Sequence, residues 1–172
     1  NPHIIFTHPP DDYHPDHRYA SQLVQDAAYM LMVPHVAPEV PAMRFNPVIF
    51  YWWDHFQFPK PFQPDIVVDI DEVLEKKMAM LDKHVSQVYE WLPYVEHILE
   101  EVPEGREERL VWLKSVYTEK NQPPIAEQYR ELLLERYGND RGMEVVEAEA
   151  FSLCEYGMQL SKDELAELFK EI

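Results

Sequence analysis

Cysteine and glycine are scarce in this chain. Cys154 is its one cysteine, so no disulfide can form within the chain, and a reducing compartment is expected. Only 4 of the 172 residues are glycine, and none lies between His3 and Lys60, where a doubly wound domain would carry its ligand-binding, often glycine-rich turn. No apolar run approaches the length of a membrane span, and no signal peptide is visible. Together these absences predict a cytoplasmic protein.

Positive charge is also scarce. Lys and Arg number 15 against 32 Asp and Glu, which gives a formal net charge of −17. Nothing would offset repulsion from phosphate groups, so nucleic acid and anionic membranes are excluded as partners. Hydrophobic residues make up 46% of the chain and aromatic residues 13%, which is enough for a real core. The length suits a single domain over residues 1–172.

Strand-like and helix-like segments alternate along the chain. The segment "HIIFTH" predicts a short buried strand, a polar loop follows it, and a helical pattern of apolar residues runs over residues 17–33. Further strands are predicted at 48–52 and in "PDIVVDI", with an ambiguous one in "EVVEAEAFSL". Helices are predicted at 71–91, 106–116 and 125–137, and at the end in "SKDELAELFKEI", where Ser161 and Glu164 form a capping-box signature. This order indicates an α/β fold with little sheet, incomplete on its N-terminal side.

The loop after the first strand concentrates imidazoles and carboxylates. In "FTHPPDDYHPDHRYAS", His14 and His17 are three residues apart with Asp16 between them. Imidazole and carboxylate suit Zn²⁺, and Asp16 can bond a ring nitrogen and fix its tautomer. A polar loop without chemistry, with Asp16 as the N-cap of the following helix, explains the same residues. The spacing alone leaves both interpretations open.

Several segments resemble the PIG-L/LmbE family of zinc-dependent N-deacetylases. "DYHPDHRYASQLVQDAA" resembles the second signature of that family, and "PDIVVDID", "LDKHVSQ" and "EAEAFSLCEYG" follow in the family's order. The resemblance extends over almost the whole chain. It implies a Rossmann-like three-layer sandwich, a Zn²⁺ cofactor, and removal of an N-acetyl group from an amino sugar or glycoconjugate as the reaction.

The same resemblance assigns roles to single residues. His17 resembles the third zinc ligand of the family, and His14 resembles the histidine that stabilises the oxyanion of the tetrahedral intermediate. Asp16 would support the orientation and charge of that histidine. Asp12 and Tyr13 are expected near the substrate.

The first signature of the family, an Ala-His-Pro-Asp-Asp-Glu motif, supplies two zinc ligands and the general base. "HPPDD" at residues 8–12 is similar but has an additional proline and lies in the loop of the second signature, so we interpret it as a chance likeness. The chain is therefore expected to be the carboxyl-terminal portion of a deacetylase domain, inactive when isolated. An incomplete sheet also favours a homo-oligomer.

Two alternatives remain beside the deacetylase. One is a non-catalytic carbohydrate-binding or interaction module with the same fold. The other is a hydrolase that takes a different metal ligand set from the loop between His8 and His17.

Overall fold

The chain forms a mixed α/β structure around an open sheet of four strands. The structure is a computed structural model that describes residues 1–120 and 123–170. The strands lie in the order β1-β2-β4-β3, where β1 is Ile4–Thr7, β2 is Val48–Trp52, β3 is Ile66–Asp69 and β4 is Ala148–Leu153. β1 and β2 are parallel, whereas β2 and β4 are antiparallel. The predicted α/β class with a Rossmann-like sandwich is confirmed, and the ambiguous segment "EVVEAEAFSL" contains β4.

The helix α1 lies between β1 and β2, β3 follows β2 directly in the order of elements, and helices occupy most of the stretch between β3 and β4. Their bounds are α1 Pro15–Met30, α2 Leu74–Leu81, α3 Leu92–Val95, α4 Arg106–Lys120, α5 Ile125–Gln128, α6 Arg130–Glu144 and α7 Lys162–Leu168. Gly138 interrupts α6 with a φ of 79°, a conformation that glycine adopts without steric cost. Among the described residues, no helix has the length and apolar character needed to cross a membrane.

Two compact units divide the chain. One comprises Asn1–Val68 together with the residues from Glu149 onward, and the other comprises Asp69–Ala148. In the first unit both faces of the sheet are covered, as the nearly continuous apolar strands require. Val48 and Phe50 pack with Phe151 and with α7 on one face, and Ile49 packs with Ala28 and Cys154 on the other. Cys154 is fully buried and packs there as a small residue.

The buried face of α1 coincides only in part with its apolar residues, because Val24 and Ala28 pack in the core whereas other apolar residues do not. Its buried residues are Ser21, Gln25 and Ala28, whereas Leu23 is 69% exposed. The amide of Gln25 donates a hydrogen bond of 2.9 Å to the Ser21 hydroxyl, so these polar groups satisfy each other inside the protein. The predicted helix is therefore present, and the apolar pattern within it identifies the buried side only in part.

The continuous helix predicted over residues 71–91 is wrong. A 3-10 turn at Asp71–Val73 leads into α2, which ends at Leu81, and a π-helical turn follows at Ser86–Trp91. Asp82, directly after α2, accepts hydrogen bonds from the Tyr89 hydroxyl and from Lys83. These local side-chain bonds hold the chain in a turn, although the helical spacing of apolar residues continues through it. The spacing of apolar residues alone therefore does not reveal that the helix is interrupted.

The helix predicted after β4 can be checked at its start but not at its end. Ser161 is the N-cap of α7, and the reciprocal bonds of a capping box with Glu164 are both present. The capping-box prediction is confirmed. Residues 171–172, with which the predicted segment ends, lie outside the described residues.

Candidate metal centre

The His- and Asp-rich loop lies at the carboxyl end of β1, next to the carboxyl end of β2. The two strands pair in register from Ile4↔Val48 to Thr7↔Tyr51, so the residues that follow Thr7 and Tyr51 share one edge of the sheet. Ligands of open α/β sheets bind at this edge. The loop enters directly from β1 and leaves through α1, so both of its ends are fixed by regular structure.

His14 begins the helix that closes the loop. Pro15 occupies the first helical turn, where its missing N–H costs nothing, and His14 is the N-cap with extended backbone angles. The backbone N–H of Asp16 donates to Nδ1 of His14 at 3.2 Å. The interpretation of Asp16 as the N-cap is therefore wrong, because the proline shifts the helix start by two residues.

Asp12 is the centre of the loop. Its carboxylate is only 5% exposed, and its Oδ1 accepts the backbone N–H of His14 at 2.8 Å. The same oxygen lies 3.0 Å from Nδ1 of His17, and Oδ2 lies 3.7 Å from Nδ1 of His8. Arg18 donates to the carbonyl oxygens of Asp12 and Tyr13 at 2.8 and 2.7 Å. The loop is thus held by bonds to both the side chain and the backbone of Asp12.

His8, Asp12 and His17 form a group with the geometry of a metal site. Each offers a ligand atom, and these atoms lie within 4.8 Å of one another. The rings of His8 and His17 are parallel at an interplanar angle of 2°, with centroids 3.9 Å apart. Two imidazoles and one carboxylate are a donor set that fits Zn²⁺. Burial and the neighbouring His17 lower the pKa of His8 against the opposing effect of Asp12, which favours the neutral ring that binds a metal.

The interpretation of residues 8–12 as a chance likeness did not anticipate this group. It placed His8 outside the site and Asp12 beside the substrate, whereas both contribute to the cluster with His17. The density of imidazoles and carboxylates was the available signal. What the sequence could not supply was the fold of the loop, which returns His17 to within reach of His8.

The other predicted site residues surround this cluster. The ring of His14 lies 4.9 Å from that of His17, centroid to centroid. The carboxylate of Asp16 is 86% exposed and lies 3.9 Å from Nδ1 of His14, so its backbone N–H makes the closer contact with that ring. Tyr13 is 63% exposed, and its ring meets the edges of His14 and His17 at 5.8 and 5.9 Å.

Asp54 is a further acidic residue near this loop, and the sequence did not indicate it. It follows β2 at the same sheet edge, its side chain is 16% exposed, and Oδ1 accepts the Phe56 backbone N–H at 3.1 Å. Burial raises its pKa, and the charge of Asp12 acts in the same direction. The charge of Asp54, like that of Asp12, partly opposes the lowering of the His8 pKa by burial and His17. The available sequence signal was the position of the polar residue Asp54 shortly after β2, the strand that pairs with β1. The aromatic residues around Asp54 made this signal hard to recognise.

Comparison with known proteins supports the fold. No family model matches the sequence. The crystal structure of GalB, the 4-carboxy-2-hydroxymuconate hydratase of Pseudomonas putida, is similar with a TM-score of 0.56 and 20% sequence identity. The match covers 93% of this chain and 54% of that one, so the chain spans about half the length of the structure it resembles. At this identity the likeness shows a shared α/β fold.

Proposed function

We propose that this chain is the zinc-binding, carboxyl-terminal part of an N-deacetylase of the PIG-L/LmbE type. Its substrate would be an N-acetylated amino sugar or glycoconjugate, which it would hydrolyse to a free amine and acetate. The observation that carries the proposal is the convergence of His8, Asp12 and His17, with His14 beside them, at the ligand-binding edge of the sheet. The "HPDH" resemblance points to the same reaction class.

In this proposal His8, Asp12 and His17 hold the metal. A bound Zn²⁺ would polarise the amide carbonyl and lower the pKa of a water molecule. Oδ1 of Asp12 lies 3.0 Å from Nδ1 of His17, so these two groups would present their ligand atoms to the same metal ion. The set differs from the one that the resemblance implies, which takes two ligands from the first signature. It corresponds to the alternative in which the loop supplies its own ligands.

His14 and its neighbours would act on the substrate. Nδ1 of His14 accepts the Asp16 N–H, so Nε2 carries the ring proton in the neutral form and can donate to the developing oxyanion. Asp16 thereby supports the orientation of the ring, as expected, although chiefly through its backbone. Tyr13 lies at the exposed rim, where its ring can contact a sugar.

A non-catalytic carbohydrate-binding module is the second candidate. The exposed ring of Tyr13, with Phe56 at 6.1 Å between centroids, offers an aromatic surface of the kind that sugars stack on. This candidate predicts sugar binding that is independent of metal and is not followed by acetate release.

Zinc titration of the full 172-residue chain tests the metal site. The apo protein, prepared with a chelator, is titrated against a competing zinc indicator, alongside His8→Ala, His17→Ala and His35→Ala. We expect one zinc per chain, bound at least about tenfold more weakly by the first two variants. His35 is exposed and outside the cluster, so its variant is the matched control and should bind like wild type. Equal affinity in all four proteins would refute the site.

Turnover is tested separately. The zinc-loaded chain is incubated with N-acetylglucosamine derivatives and, in parallel, with 4-carboxy-2-hydroxymuconate, and acetate release or hydration is measured. Acetate release that His17→Ala abolishes supports the deacetylase and contradicts the prediction that the isolated chain is inactive. Hydration in its place would contradict it, and metal-independent sugar binding without turnover would establish the module.

A further inference from the structure

The second compact unit contains a surface cavity with an unusual charge. Its volume is about 360 Å³, within the lower range of small-molecule sites. Lys83, Arg106 and Arg109 contribute three positive charges to its lining, and Asp82 and Glu104 contribute two negative ones. The cavity is therefore net positive, in a chain whose formal net charge is −17. This local reversal of sign calls for a physical reason.

Asp82 is already neutralised within the protein. Its Oδ1 accepts the Tyr89 hydroxyl at 2.9 Å and its Oδ2 accepts Lys83 at 2.9 Å. Burial and the bond to Asp82 raise the pKa of Tyr89 to about 12, so its hydroxyl stays protonated and keeps donating. Lys83 and Asp82 thus cancel each other, and two guanidinium groups face one carboxylate in the rest of the lining.

The guanidinium group of Arg109 is already fixed in an orientation in which it can bind a ligand. Its Nε donates to the carbonyl oxygen of Pro103 at 2.7 Å, and its guanidinium carbon lies 5.4 Å from the centre of the Tyr89 ring. These two contacts fix the plane of the guanidinium group and leave its terminal amino groups as donors. Little side-chain entropy remains to be lost when they bind an anion.

Arg106 supplies the second guanidinium. Within residues 1–120 and 123–170 it makes no hydrogen bond or ion pair, and its charge acts on Asp82 only through space. Arg106 begins α4, but Glu108 packs back against Gly105 at this helix end. The helix terminus is thus already approached by a carboxylate, and the positive character of the cavity comes from the side chains.

We propose that this cavity binds the carboxylate or phosphate group of a small anionic molecule between Arg106 and Arg109. Planar guanidinium groups bind both kinds of group with paired, charge-assisted hydrogen bonds. The size of the cavity suits a small metabolite, and the negative charge of the remaining protein disfavours a polyanion. The site lies within the unit formed by residues 69–148 and is independent of the His8–Asp12–His17 cluster.

Titration of the ¹⁵N-labelled full chain with inorganic phosphate, and separately with succinate, tests the proposal. Ionic strength is held constant with sodium chloride, and the backbone amides of Tyr89 and Arg109 and the Nε–H of Arg109 are followed. We expect saturable shifts of these signals with at least one of the two anions. Saturation by phosphate alone or by succinate alone supports the site and identifies the group it takes. Shifts that grow linearly with both anions would overturn it.

Arg106→Gln and Lys114→Gln are the matched variants. Both remove one positive charge from α4, but Lys114 pairs with Glu75 and does not line the cavity. We expect the dissociation constant to rise about tenfold or more in Arg106→Gln and to change less than about twofold in Lys114→Gln. Equal weakening in both variants would attribute the effect to general charge and overturn the proposal. Arg106 is exposed, and an unchanged amide spectrum without ligand verifies the fold of its variant.

Discussion

At the scale of single residues, Asp12 connects the histidines of the loop. It is the buried acceptor for His14 and His17 and the closest carboxylate to His8. A buried carboxylate is costly unless it is fully bonded, and here the loop backbone and the imidazoles provide its partners. The same bonds fix the ring orientations on which metal binding depends.

Asp12→Asn should weaken zinc binding by about 10- to 100-fold. The amide keeps the size of the side chain but cannot accept with both terminal atoms and has no charge for the metal. Competition titration with a zinc indicator measures the change. Asp11→Asn removes the neighbouring carboxylate, which is not part of the cluster, and should leave the affinity as in wild type. If Asp12→Asn bound zinc with the affinity of the wild type, Asp12 would be excluded as a metal ligand and as an orienting group.

His14 caps α1, and in the proposed function it also acts in catalysis. His14→Ala should lower the free energy of unfolding by about 1 kcal/mol because α1 loses its N-cap. His14→Asn should retain the stability, since asparagine is a strong N-cap, and yet lose turnover by about 100-fold or more because no imidazole remains to donate. Urea unfolding and acetate release measure the two effects. Restored turnover in His14→Asn would show that His14 only caps the helix.

At the scale of elements, α7 shows what a local signature can specify. Ser161 and Glu164 exchange the two bonds of a capping box, and Leu165 and Phe169 then bury against the strands. Ser161 donates to and lowers the pKa of Glu164. The signature determines where the helix begins, and the apolar residues after it determine what the helix packs against.

Ser161→Ala should destabilise the protein by about 1 kcal/mol at neutral pH, measured by urea unfolding. Because the pKa of Glu164 is lower in the folded than in the unfolded protein, its contribution is present above the unfolded value of 4.5. This stabilising contribution of Glu164 is lost as the pH falls through the pKa that Glu164 has in the folded protein. The difference between wild type and Ser161→Ala should therefore shrink in acid, and Ser161→Thr should restore most of the stability. A difference that grows in acid would contradict the pairing.

At the scale of the whole molecule, the net charge of −17 opposes compactness. Screening this repulsion should stabilise the fold, so the melting temperature should rise when sodium chloride increases from about 0.01 M to about 0.5 M. Differential scanning calorimetry of the metal-free chain measures it, with tetramethylammonium chloride at equal ionic strength as the control for specific sodium binding. A falling melting temperature would mean that attractive ion pairs, such as those of Arg141 with Asp69 and Asp71, outweigh the repulsion.

The sequence by itself determined the features whose causes are local. The α/β class, the strands around Ile5, Ile49 and Val67, and the start of α7 follow from short apolar runs, prolines and a capping box. The composition of the loop after β1 was also sufficient to identify it as the candidate for chemistry. Each of these depends on residues within a few positions of one another.

Only the tertiary structure decided which loop residues meet and which faces are buried. Asp12 joins His8 to His17 because Pro15 sets the helix start and β1 pairs with β2, so two distant segments fix one short loop. Ser21 and Gln25 are buried because they bond each other, against the apolar pattern of α1. Arg106 and Arg109 line one cavity with Tyr89 because α2 ends at Leu81. In the first and third cases the free energy belongs to contacts between segments, and neither segment contains that information alone.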